Sequence, residues 1–224
     1  MIDRRDLLTC HVTDKSRPHA SMGPEFYTNA VLHTHENKPV RFYEDLIKGK
    51  ITLINFIYTG CMKSCPRSTG NLAKAQKLLG ERIGRDIFMY SITLKPEEDN
   101  PETLRSYARS HGARPGWLFL TGNEYDLTTI RFKLARWDHP MLDFDPDQHT
   151  GMVRIINDSL NLWTMCPTHA TPQQIAECVT WVEPTKPFAV RLRENYVKQA
   201  EIDRETRQVE PRRAEFRHVQ GWRS

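Results

Sequence analysis

The run Ile51-Thr52-Leu53-Ile54-Asn55-Phe56-Ile57-Tyr58 leads straight into Gly60-Cys61-Met62-Lys63-Ser64-Cys65-Pro66. The run is apolar on both faces, as a parallel strand covered from both sides must be. A helical pattern follows at once, with Leu72, Ala75, Leu78 and Leu79 ahead of Gly80. Two cysteines therefore sit where a buried strand hands over to a helix. Unpaired N–H groups at a helix start favour an anion, and a thiolate is one. Pro66 suits the first helical turn, where its missing N–H costs nothing, and Ser64 is the expected cap. Cysteines four residues apart share one side of a helical turn. Their sulfurs can close a disulfide or grip one soft metal ion. The rival reading, two small buried hydrophobes, fits this strand–turn–helix context less well.

The rest of the chain alternates in the same style. Phe26 to Leu32 and Pro39 to Phe42 read as a hairpin, with a turn over His33–Lys38. A helical turn, Tyr43 to Lys48, precedes the central strand. Ile87–Leu94 reads as a second buried strand. Asp99-Asn100-Pro101-Glu102 combines cap, proline and acid, a helix start whose helix runs to about His111-Gly112. Trp117–Leu120 is a short strand, and a helix runs from Asn123 or Glu124 to Arg136. Met152–Ile156 and Leu160–Trp163 form a hairpin through Asn157-Asp158-Ser159. Thr171-Pro172-Gln173-Gln174 opens the last helix of the body, and Pro184 and Pro187 break it. This order predicts an α/β fold, a thioredoxin-like sheet flanked by helices, with an N-terminal hairpin. Sites in open α/β sheets form beyond the carboxyl ends of strands, which is where the Cys61 turn falls.

Composition divides the chain into three parts. Residues 1–25 lack periodicity and read as a disordered or truncated targeting segment. Arg4-Arg5-x-Leu7-Leu8 is reminiscent of a twin-arginine signal, but polar residues follow it, so no signal peptide is evident. Residues 26–184 form the thioredoxin-like domain. Residues 185–224 form a charged, helix-prone tail. From Pro187 onward nine Lys/Arg face six Asp/Glu, a net +3 of the chain's +4. The body is close to neutral, which argues against a nucleic-acid surface. Five cysteines in 224 residues do not make a disulfide scaffold. No apolar run approaches the length of a membrane span.

Two thiolates alone leave most metals under-coordinated, and an imidazole is the natural third ligand. Of nine histidines, His149 is best placed, in a loop that leads into the strand Met152–Ile156. Tyr58-Thr59-Gly60-Cys61-x-x-x-Cys65-Pro66 resembles the Tyr-Thr-x-Cys-x-x-x-Cys-Pro signature of the Sco/SenC family of copper proteins. Pro96-Glu97-Glu98-Asp99-Asn100-Pro101-Glu102-x-Leu104 with Tyr107, and then Leu120-Thr121-Gly122, look like the family's next landmarks. His149 stands where the family places its single histidine. The resemblance covers about Asn29 to Val182.

It implies a thioredoxin-like fold that binds one copper ion, Cu(I) or Cu(II), through Cys61, Cys65 and His149. It further implies an extracytoplasmic or periplasmic protein that serves the copper centre of a respiratory oxidase. Such a protein delivers copper, reduces the target's cysteines, or both. The partner would be a copper-accepting oxidase subunit or another copper carrier. Two thiolates favour Cu(I), and the imidazole helps accommodate Cu(II). The alternative is a thiol–disulfide oxidoreductase with no delivery role. There Cys61, nearer the strand end and expected to be the more exposed, attacks, Cys65 resolves, and His149 tunes the thiol.

This chain departs from the family pattern within the motif. An acidic residue is common between the cysteines, where this chain has Met62-Lys63-Ser64. Lys63 should stabilise thiolates. Met62 could offer a soft thioether, although an exposed or packed methionine is the plainer expectation. Asp147 is two residues from His149 rather than adjacent, and Leu94-Lys95 stand where the family carries an Asp. Met141, Asp143, Asp145 and Asp147 read as a solvated acidic loop, and Met152 and Met165 as packing residues of a hairpin. Cys166 and Cys178, flanking a loop and a helix, read as structural thiols with a mutual bridge still open. His33 and His35 read as surface histidines.

Overall fold

The computed structural model describes residues 25–183, apart from Lys63 and residues 136–150. The terminal segment, the charged tail, His149 and the acidic loop beside it lie outside the described residues. Seven strands form one sheet among the described residues, in the order β2-β1-β5-β4-β3-β6-β7. In chain order these are β1 (Val31–Thr34), β2 (Pro39–Arg41), β3 (Ile51–Ile57), β4 (Ile87–Thr93), β5 (Trp117–Thr121), β6 (Met152–Asn157) and β7 (Leu162–Pro167). The helices are α1 (Cys65–Leu79), α2 (Pro101–Ser110), α3 (Glu124–Ala135) and α4 (Pro172–Thr180). β3 is parallel to β4, and β4 to β5, while the remaining pairs are antiparallel.

Helices cover both faces, which explains why β3 is apolar on both. Leu53 and Ile57 face the layer of α1, α2 and α4, against Leu72, Ala75, Leu104, Ile175 and Val179. Ile54 faces the other way, with Tyr90, Ile92 and Ile156, under α3 and a single wide turn at Phe42–Ile47. That turn closes with the N–H of Lys48 on the carbonyl of Tyr43 at 2.9 Å, an i to i+5 bond. One polar chain crosses the first layer. The Ser91 hydroxyl donates to Asn55 Oδ1 at 2.7 Å and accepts from Trp117 Nε1 at 3.0 Å. All three side chains are buried, so each polar atom needs such a partner.

Two strand expectations shift. The first hairpin begins at Val31, not Phe26. Tyr27 is pulled into the core and stacks on Tyr43 at 5.8 Å, and Thr28 Oγ1 accepts the N–H of Ala30 in a local turn. His33 and Thr34 accordingly belong to β1 rather than to the turn. The last hairpin turns over Asp158–Leu160, and its second strand begins at Leu162, two residues late. Asn157 Oδ1 accepts the N–H of Leu160, and Asn161 takes a left-handed φ of 49°, which lengthens the turn. Cys166 thereby lies inside β7, opposite Val153, rather than beside a loop. Cys178 lies within α4. Both are buried, and no disulfide joins them.

Candidate metal centre

β3 delivers the chain to the turn Tyr58-Thr59-Gly60, where the N–H of Cys61 meets the carbonyl of Tyr58 at 3.3 Å. α1 then starts at Cys65. Both cysteines are buried, Cys61 4% exposed and Cys65 1%. Cys61 is the more exposed of the two, as expected, but the helix layer closes over both sulfurs. The two side chains are hydrogen-bonded to each other. That contact brings two soft donors to one spot.

The helix start does not make Cys65 a thiolate. Burial pushes its thiol up to about 12 from 9.0, and Cys61 and Asp99 push the same way, against a backbone hydrogen bond at Tyr58. Desolvation of a charge outweighs the helix-terminus field here. Ser64 also departs from expectation. It stands at the cap position with helical angles (φ −93°, ψ −35°) and makes no side-chain cap bond. Pro66, next but one, has no N–H for it to accept.

Asp99 is the residue that sequence reasoning missed. Asn100, not Asp99, caps α2, accepting the N–H of Thr103 at 2.9 Å. Asp99 turns inward and is 1% exposed. Its carboxylate accepts the N–H of Thr59 at 3.1 Å and the hydroxyl of Thr93 at 2.6 Å, together with the hydroxyl of Thr59. It thus ties the turn ahead of Cys61 to the end of β4. The signal was present in the pair Asp99-Asn100: two candidate caps for one helix leave one side chain to do something else. Tyr107, on α2, belongs to the same buried cluster as the two cysteines. Its hydroxyl lies 3.0 Å from Thr69 Oγ1. Burial pushes the phenol up to about 12, and the two cysteines and Asp99 add to that.

On the other side of α1, Ser68 Oγ and Thr168 Oγ1 are 2.7 Å apart, and Thr168 Oγ1 donates to the carbonyl of Gly151 at 2.7 Å. The N–H of Thr168 reaches the same carbonyl at 2.7 Å. Asn71 Nδ2 donates to the carbonyls of Thr168 and Ala170. Gly151 has a positive φ of 60°, which glycine takes without strain. The start of β6 is thus fastened to the helix that begins at Cys65.

Elsewhere, His33 is exposed. His35 is half-buried, and its Nδ1 accepts the N–H of Phe119 at 3.2 Å, a structural role rather than that of a surface histidine. Burial lowers its pKa. Met152 and Met165 are half-buried on the last hairpin. Among the described residues no three His, Cys, Asp or Glu side chains are grouped to hold a metal ion.

A family model described as SCO1/SenC matches residues 17–183. The chain belongs to the SCO1/SenC family. A SCO2-like protein of Rickettsia prowazekii is 33% identical over 112 residues, 50% of this chain and 53% of the relative. The chain spans about half the length of the curated relatives it matches. The crystal structure of Arabidopsis thaliana ScoI with copper bound superposes with a TM-score of 0.55 at 19% identity, covering 70% of this chain and 96% of that one. BsSco, described with a disulfide switch and as a member of the Sco family of cytochrome c oxidase assembly proteins, gives 0.55 at 21% identity, covering 71% and 94%. These likenesses establish the thioredoxin-like fold of this Sco/SenC protein. No helix among its described residues is long and apolar enough to cross a membrane.

Proposed function

We propose that this Sco/SenC protein binds one copper ion through Cys61, Cys65 and His149, and serves the copper centre of a respiratory oxidase. It does so as a copper donor, as a reductant of the acceptor's cysteines, or as both. The observation that carries this is the contact of two buried thiols at the end of β3, within one turn of α1. Paired thiolates are donors that prefer Cu(I), and burial of both sulfurs suits an ion that oxygen would oxidise. Copper in this role is cargo rather than a resident cofactor.

Gly151 supports His149 as the third ligand. It follows His149 by two residues, and Thr168 fastens it to Ser68, one turn of helix beyond Cys65. The copper-bound state of ScoI supports the metal, and an oxidase subunit or a second copper carrier fits as the partner. The setting we infer is extracytoplasmic or periplasmic.

The test is copper stoichiometry of the reduced protein, wild type against Cys61→Ser, Cys65→Ser and His149→Ala. One equivalent in wild type, lost or weakened in every variant, is expected. No tight copper in reduced wild type overturns the proposal. Thiol–disulfide exchange without copper is the second reading, favoured by the same sulfur contact and by the disulfide switch described for BsSco. In it Cys61 attacks and Cys65, which holds its proton, resolves. His149→Ala separates the two, since it should cost copper affinity and leave much of the exchange activity.

A further inference from the structure

Cargo that passes to another protein must meet the acceptor's donor atoms in the open. Both cysteines of this chain are buried, 4% and 1% exposed. Met62, bonded to Cys61 and inside the same turn, is 91% exposed. No other large apolar side chain among the described residues is as open; Tyr125 follows at 80%. Packing does not account for a methionine here, because an apolar side chain left in water gains nothing from burial. What methionine offers at that spot is its thioether. That group is soft and flexible, and it carries no proton to displace before it can bind Cu(I).

We propose that Met62 is a transient copper ligand, the donor through which Cu(I) leaves and enters the two-thiolate site. The proposal rests on the copper reading above. In the hand-over, a bond from Cu(I) to Met62 Sδ forms as the bond to Cys61 Sγ breaks. Two acceptor thiolates then take the metal in turn: the first replaces the thioether, the second replaces Cys65, and the bond to His149 breaks as the second forms. Copper remains Cu(I) throughout, so no electron moves and no oxidant is needed. The freed thiolates take up protons from water, and the acceptor's thiols release theirs to it. Met62 thereby extends a buried site to the surface without exposing the cysteines to oxidation.

The test is transfer of Cu(I) from the loaded, reduced protein to the small chelator bicinchoninate, followed by stopped flow, beside equilibrium stoichiometry and affinity. Met62→Leu keeps the apolar bulk and removes the sulfur. It should still bind one copper, but load and release it about tenfold more slowly, the scale of a lost supporting contact at a metal site. Met62→His, which restores an exposed donor, should recover most of the rate. A wild-type rate in Met62→Leu overturns the inference while leaving the copper site standing. Absence of bound copper in wild type overturns the copper reading, and this inference with it.

Discussion

Asp99 holds the backbone N–H of Thr59 with both carboxylate oxygens, at 3.1 and 3.3 Å, two residues ahead of Cys61. The hydroxyls of Thr59 and Thr93 point at the same carboxylate. A buried anion accepting several donors fixes a turn more firmly than neutral contacts do. The position of Cys61 is therefore set from β4 and the start of α2 as much as from β3.

Asp99→Ala should accordingly destabilise the protein by about 3 kcal/mol, since hydrogen bonds to a charged group contribute ~1.5–3 kcal/mol each and the abandoned Thr93 hydroxyl stays buried. Asp99→Asn should cost roughly half of that, because its amide oxygen still accepts the Thr59 N–H and its NH₂ can donate to Thr93. Urea unfolding of the reduced protein measures both. An alanine variant within about 0.5 kcal/mol of wild type, the range of ordinary surface substitutions, would remove Asp99 from this role.

The hydroxyl of Thr168 links two parts of the proposed site, so its removal should separate fold from metal binding. Thr168→Val keeps the shape and the backbone bond to Gly151, and deletes the bonds to Ser68 and to the Gly151 carbonyl. A stability loss of about 1–2 kcal/mol is expected for the buried hydroxyl left behind. Copper affinity should fall by about tenfold if His149, two residues before Gly151, is the ligand proposed above. Competition with a Cu(I) chelator reads the affinity, and urea unfolding reads the fold. Lost stability with unchanged affinity would break the link between Gly151 and the ligand.

The strand–turn–helix around Cys61 and Cys65 was legible because its signals agree: a doubly apolar strand, a helix period, and Pro66 in the first turn. The register of the last hairpin was not. It depends on Asn157 bonding Leu160 and on Asn161 taking a left-handed conformation, and a turn over Asn157-Asp158-Ser159 matched the same residues. The protonation of Cys65 was also out of reach. A helix start predicts a thiolate, and only three-dimensional packing reveals that burial reverses the sign. Asp99 was visible as a helix-start residue, whereas its real partners, Thr59 and Thr93, are brought to it by the sheet.

The elevated Cys65 thiol has a consequence for copper loading. Pushed up to about 12 by burial, it holds its proton at neutral pH. A metal binds the thiolate, so copper held by Cys65 as proposed must displace that proton. Loading at neutral pH should therefore release at least one proton per copper. Apparent affinity should rise with pH, by about tenfold per pH unit for each proton displaced, and this dependence from Cys65 should end only near pH 12. The sign follows from mass action: protons compete with copper for the sulfur, and fewer protons favour the metal. Titration calorimetry in buffers of different ionisation enthalpy counts the protons, and chelator competition at several pH values gives the slope. Cys65→Ser should reduce both along with the affinity. A binding heat independent of buffer, with an affinity flat in pH, would mean that copper does not replace the proton on Cys65, and would take that sulfur out of the ligand set.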